Sequence, residues 1–319
     1  MPAILTHYTF SKINMRDPSS PYFDAINLGS QGPDPFFFYG VHLPFLRKEM
    51  KQISSFGSSL HHMDISEVYP YLFEYANQSE EKDLLYAYIE GVFLHYVVDR
   101  NCHPYIFVRA GCPLVGKKED KKWGGPHAMF EGLLDFLLGK KEGTYTTKTD
   151  ACLKIEKGQL LSISKMWKYV NDKTLKRPIF SFKTFYYAVK DYAFALRLLN
   201  RPNWFSNIWV RLLVGKMGVP YGLHMQKKMP KEYQGLDFLN EQREEWPDLF
   251  DGHPRNESFL DLLENAKDDY HKACLLIDRA KKGEDIRKEL SDFVGKKDHD
   301  GAIDQAPKRH RKPIWPNLG

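Results

Sequence analysis

Apolar residues recur at spacings of three and four along several long stretches of the chain. In SEEKDLLYAYIEGVFLHYVVDRNC (79–102), Leu84, Leu85, Tyr88, Val92 and His95 keep that period, as one face of an α-helix does. Ser79 followed by two glutamates supplies an N-cap and an acidic first turn. The stretch GPHAMFEGLLDFLLGKK (125–141) carries Pro near its start and a Gly with two lysines at its close, which suits the two ends of a helix. Residues 181–201 and 256–283 read as further amphipathic helices. Few stretches alternate as a half-buried strand does. The expected fold is all-α.

Between these helices lie segments of a different kind. INLGSQGPDPFFFYG (26–40) is a turn-rich run that becomes strongly aromatic, with one carboxylate, Asp34, between two prolines. Residues 104–124 are expected as a loop, since they mix Pro, Gly and a charge run. From residue 294 onward the chain is expected to be an extended tail. One helical domain is therefore expected over 1–293, followed by the tail over 294–319. The sequence carries no internal repeat.

Composition narrows the class of protein. Of 319 residues, 42% are hydrophobic and 27% charged, which describes a globular chain with ample surface to bury. The net charge of +5 is too small to argue for nucleic acid by itself. Four cysteines form no CxxC pair, so reduced thiols are expected. The first residues lack the basic and apolar regions of a signal peptide. No run reaches the roughly 18 apolar residues of a membrane helix. The expected location is the cytoplasm.

The candidate chemistry lies in histidines and carboxylates. His95 and Asp99 are four residues apart on one expected helix, and His127 and Glu131 are four apart on another. Such pairs project from one helix face about 6 Å apart along the axis, the way a helix offers two ligands to one metal. A single pair is commonplace as a surface hydrogen bond. Two pairs on apolar faces are harder to explain, because buried polar groups are costly unless satisfied. His103 follows Asp99 by four residues, just before Pro104, and is expected at the helix end. His7, Asp34 and His61 would complete a set of nitrogen and oxygen ligands that suits zinc. His42 is an outside candidate.

The motifs THYTF (6–10), GSQGPDPFFFYG (29–40), GSSLHH (57–62), HYVVDRNCHPYI (95–106) and HAMFE (127–131) stand in an order that resembles the zinc-dependent phospholipases C and the single-strand nucleases of the same fold. The resemblance spans about residues 1–140, which places the metal ligands there and packing helices in 141–293. It implies an all-helical domain with up to three zinc ions in a cleft. His103, His127 and Glu131 would hold one ion, and Asp34, His61, His95 and Asp99 a second. His7 and Asp99 would hold the third, with Asp99 bridging. In secreted members the mature N-terminal amine is also a ligand, a part that the amine of Pro2 would play here after loss of the initiator Met.

This chain departs from the family's pattern in places. The step from Asp99 to His103 is shorter than usual, which leaves His103 as either a ligand or a neighbour of the site. His61 and His62 are adjacent, and the spacing from Gly57 favours His61. The lipid-binding β-domain of some members has no counterpart.

The resemblance implies a phosphodiester hydrolase, phospholipase C-like, that uses metal-activated water, with Asp34 as ligand and as the base orienting that water. The implied substrate is a phospholipid or another phosphodiester. Trp204, Phe205, Trp209, Arg211 and Lys216 within 201–218 suggest peripheral membrane contact. A nuclease on the same scaffold and a structural zinc cluster are the alternatives.

Overall fold

The periodic stretches fold as helices in the computed structural model, which describes residues 4–42, 47–110, 124–146, 148–200 and 235–302. The α-helices, in chain order, are α1 (Ile4–Asn14), α2 (Phe23–Gly29), α3 (Arg47–His62), α4 (Ile65–Asn77), α5 (Lys82–Ala110), α6 (Gly124–Lys141), α7 (Lys157–Lys173), α8 (Thr184–Asn200), α9 (Phe259–Lys281) and α10 (Arg287–Val294). Asp34–Phe38 and Thr149–Leu153 form 3₁₀ turns. The strands described are Trp246–Pro247 and Pro254–Arg255, paired antiparallel. The fold is all-α, as the pattern indicated. The expected interfacial segment 201–218 lies outside the described residues. No described helix is long and apolar enough to cross a membrane.

Helix α5 is the axis of the fold. It is buried along most of its length and on every side, as expected for a helix apolar all round. Helices α1, α2, α4, α6 and α9 pack against it. The α2 contact is especially close. A Cβ on Gly91 would lie 2.1 Å from the Ile26 carbonyl oxygen, and one on Gly29 would lie 2.2 Å from that of Tyr88. Only a pair of glycines permits this approach, which draws the turn after α2 against the middle of α5. Two polar anchors add direction. Trp167 Nε1 donates to Tyr88 Oη at 2.7 Å. The buried Glu90 accepts from Tyr270 Oη at 2.6 Å and from Arg16 Nη2 at 2.9 Å, so its charge is paired rather than orphaned.

Two expectations are corrected here. Helix α5 does not stop before Pro104 but runs on to Ala110, so 104–110 are helical rather than loop. Proline removes one backbone donor, which frees the Arg100 carbonyl without breaking this buried helix. The expected tail also begins later than residue 294. Helix α10 ends at Val294, capped by Gly295 in the left-handed conformation (φ +57°), and the chain doubles back over α5. There Asp298 and His299 are buried.

Candidate metal centre

Helix α5 presents His95, Asp99 and His103 at successive i, i+4 positions. Residues from four other segments converge on that face. His7 comes from the middle of α1, Asp34 from the first residue of the 3₁₀ turn, His61 from the last turn of α3, and His127 with Glu131 from α6. They meet in three groups, of which the first two share His95: His7, His95 and Asp99; Asp34, His61 and His95; and His103, His127 and Glu131. In each, one ligand atom per residue lies within 4.8 Å of the others. Asp99 is central. Its Oδ1 is 3.2 Å from His7 Nε2 and 3.8 Å from His103 Nε2, and its Oδ2 is 3.0 Å from His95 Nε2. His61 Nε2 is 3.2 Å from Asp34 Oδ1, and His127 Nε2 is 2.7 Å from Glu131 Oε1. His103 Nε2 stands 3.8 Å from Glu131 Oε1, so the short step from Asp99 does not remove it from the site.

For three of the imidazoles, the far side decides which nitrogen faces the centre. His61 Nδ1 lies 2.8 Å from the Gly57 carbonyl, His95 Nδ1 3.1 Å from that of Ser30, and His103 Nδ1 2.7 Å from that of His299. A carbonyl oxygen only accepts, so each Nδ1 carries the proton. In the neutral rings Nε2 then turns a lone pair toward the carboxylates. Lone pair against carboxylate is repulsive unless a cation lies between them, and an Nδ1–H held by backbone oxygen is the usual partner of a metal-bound imidazole. Hydrogen bonding inside the centre is correspondingly incomplete. Both His7 nitrogens, both Asp34 oxygens, His95 Nε2, Asp99 Oδ2 and His103 Nε2 are buried without a hydrogen-bond partner. A cavity of about 10 Å³ borders His7, Asp99 and Glu131.

Electrostatics follow from this crowding. Burial, then the neighbouring His95, lowers the pKa of His7. Burial alone would raise that of Asp99, yet the positive charge that His95, His103 and His7 carry when protonated in the metal-free centre holds it well below the ordinary carboxylate range. Gly32 makes room for His95. It has φ +49°, and a Cβ there would lie 2.2 Å from His95 Cδ2.

The family described as zinc dependent phospholipase C matches over residues 1–177, more than half of the chain. The chain belongs to the zinc-dependent phospholipase C family. No curated protein and no solved structure matches it. The residues present fit zinc: buried imidazole nitrogens and carboxylate oxygens, with His61, His95 and His103 held from behind by backbone carbonyls and Asp34 without a hydrogen-bond partner, are the donor set this ion takes.

The remaining candidates of this phospholipase C family member fall elsewhere. His62 points away from Asp34, toward Asp300 at 3.3 Å. His42 pairs with Asp191 at 3.1 Å, apart from the centre. Pro2 lies outside the described residues. Among the aromatics beside Asp34, Phe36 and Phe38 are core residues. Phe37 borders the site, with its ring centroid 5.3 Å from that of His61.

Sequence reasoning missed two contributors. Asp135 accepts from the backbone N–H groups of Leu5 at 2.9 Å and Thr6 at 2.6 Å, which anchors the start of α1 and hence His7. Burial pushes its carboxyl up to about 7. Its signal was legible: Asp135 continues the i, i+4 series of His127 and Glu131. The second contributor is the segment Asp298–Gly301, which no periodicity announces.

Proposed function

We propose that this chain is a zinc-dependent phosphodiester hydrolase of phospholipase C type, using an activated water as nucleophile. The observation that carries the reading is the Asp99 carboxylate set among three imidazoles, two of which, His95 and His103, keep their Nδ1 protons on backbone carbonyls. His103, His127 and Glu131 would hold one zinc ion, Asp34, His61, His95 and Asp99 a second, and His7 with Asp99 a third. Zinc in such a site polarises phosphoryl oxygens and brings the pKa of a bound water toward neutrality.

The chain's own side chains do the rest. Asp34, buried on a proline-flanked turn, orients the attacking water and accepts its proton. A new O–P bond forms as the P–O bond to the glycerol oxygen breaks, and the proton taken by Asp34 is returned through solvent to that leaving oxygen, which releases diacylglycerol and a phosphorylated head group. No side-chain nucleophile is needed, and the cysteines described are buried. Phe37 offers an apolar edge to the substrate beside His61.

The test is zinc content together with hydrolysis of phosphatidylcholine vesicles by the full chain. Diacylglycerol release that stops on chelation, with the helical signal retained, is the expected result. Zinc bound without hydrolysis of any phosphodiester would make the centre structural. Cleavage of single-stranded oligonucleotide in place of lipid would make it a nuclease.

A further inference from the structure

His103 is held from behind by a segment about two hundred residues away in sequence. Its Nδ1 donates to the His299 carbonyl at 2.7 Å and lies 3.3 Å from Asp300 Oδ1. The same segment reaches α3. His299 N–H donates to the His61 carbonyl at 3.2 Å, and Asp300 Oδ2 is 3.3 Å from His62 Nδ1. Its fit is close. The His299 ring is 1% exposed, with its centroid 4.9 Å from that of His61 and 5.5 Å from that of His95. Neither of its nitrogens has a hydrogen-bond partner. Asp298 shapes the turn by accepting from the backbone of Asp300 at 2.8 Å and of Ala302 at 3.3 Å. Gly301 seals it with φ +101°. A Cβ there would lie 2.8 Å from Pro104 Cγ and 3.2 Å from the Arg100 carbonyl oxygen, the one that Pro104 leaves without its helical donor.

We propose that Asp298–Gly301 is a strap that completes the metal centre from outside the family-matched region, and that Asp300, with the His299 carbonyl, is the positioning residue of His103. The proposal rests on the reading of His103 as a zinc ligand. A ligand imidazole needs its other N–H fixed, because that bond sets the tautomer and the plane of the ring. On α5 alone, His103 sits one residue before a proline and has no other partner for Nδ1 among the described residues. The strap supplies two acceptors at once, and the Asp300 carboxylate makes the contact charge-assisted once a cation polarises the ring.

The experiment uses the full chain and compares wild type with Asp300→Ala, Asp300→Asn, Gly301→Ala and His103→Ala. The readouts are zinc affinity by competition with a chromophoric chelator, the visible spectrum of the Co²⁺-loaded protein, and the melting temperature of the metal-free protein. Asp300→Ala is expected to weaken one zinc ion about 10–100-fold and to alter the Co²⁺ bands, with the metal-free melting temperature little changed. Asp300→Asn, which keeps an acceptor oxygen, is expected to recover most of the affinity. Gly301→Ala is expected to lift the strap and to reproduce the Asp300→Ala spectrum. Unchanged affinity and spectrum in Asp300→Ala, while His103→Ala loses an ion, would overturn the strap's role and leave the centre standing. An unchanged zinc count in His103→Ala would overturn the reading of the centre itself.

Discussion

Gly32 and His95 are packed so tightly that a methyl group on Gly32 would lie 2.2 Å from Cδ2 of the imidazole. The turn that carries Asp34 is therefore moulded on the ring it faces. Gly32→Ala is expected to cost about 1–2 kcal/mol for the left-handed backbone. It should also push His95 off its Ser30 contact, which lowers zinc affinity and hydrolysis about 10–100-fold. Elemental analysis and a thermal melt read the two effects separately. Full zinc occupancy in a folded variant would show that His95 tolerates displacement.

Asp99 is within 3.8 Å of three imidazoles, so its loss should be felt by more than one ion. Asp99→Asn is expected to release more than one zinc per chain, whereas His127→Asn should release no more than one. Metal content per chain settles the comparison. Equal losses in the two variants would argue against a bridging carboxylate.

The aromatic run beside Asp34 divides into two roles. Phe36 is fully buried against Phe56, Trp167, Phe180 and Phe185. Phe36→Ala should cost about 3–5 kcal/mol in urea unfolding. Phe37 is half-buried against His61. Phe37→Ala should leave most of that stability intact and raise KM for vesicle lipid. A KM unchanged in Phe37→Ala would remove that ring from the substrate path.

Arg100 and Asn101 both bind Asp269 Oδ2, from Nε at 3.0 Å and Nδ2 at 3.1 Å, and thereby clamp α9 to α5. Burial opposes ionisation of Asp269, but Arg100 prevails and holds its pKa below the ordinary 3.8. A carboxylate with a depressed pKa in the folded state binds fewer protons there than in the unfolded state. Its contribution is thus present above pH about 4 and is lost as the pH falls further. Asp269→Asn should cost about 1.5–3 kcal/mol at neutral pH. In metal-free protein the gap to wild type should narrow below pH about 4. A gap that is flat across this range would mean that the clamp does not act through charge.

Periodicity made the helices legible, and the i, i+4 pairs His95–Asp99 and His127–Glu131 showed half of the centre, because both signals are local. The end of α5 was misread because Pro104 ordinarily ends a helix in isolation, whereas here packing on every side sustains it. Phe36 and Phe37 are neighbours in sequence with different surroundings, and no local pattern separates the core ring from the ring beside His61. The strap was invisible for a stronger reason. Lys296, Lys297, Asp298, His299 and Asp300 read as a solvated charge run, and only the tertiary fold shows that two of them are buried.

The distance in sequence between His103 and His299 also sets an order of events during synthesis. At about 5–20 residues per second, the carbonyl that holds His103 leaves the ribosome roughly 10–40 seconds after the imidazole it holds. All eight side chains of the centre, from His7 to Glu131, are made long before the strap that closes on them. Until then the nascent chain presents these side chains unlatched, so if His103 holds an ion, its lasting capture is expected only at the final stage of maturation.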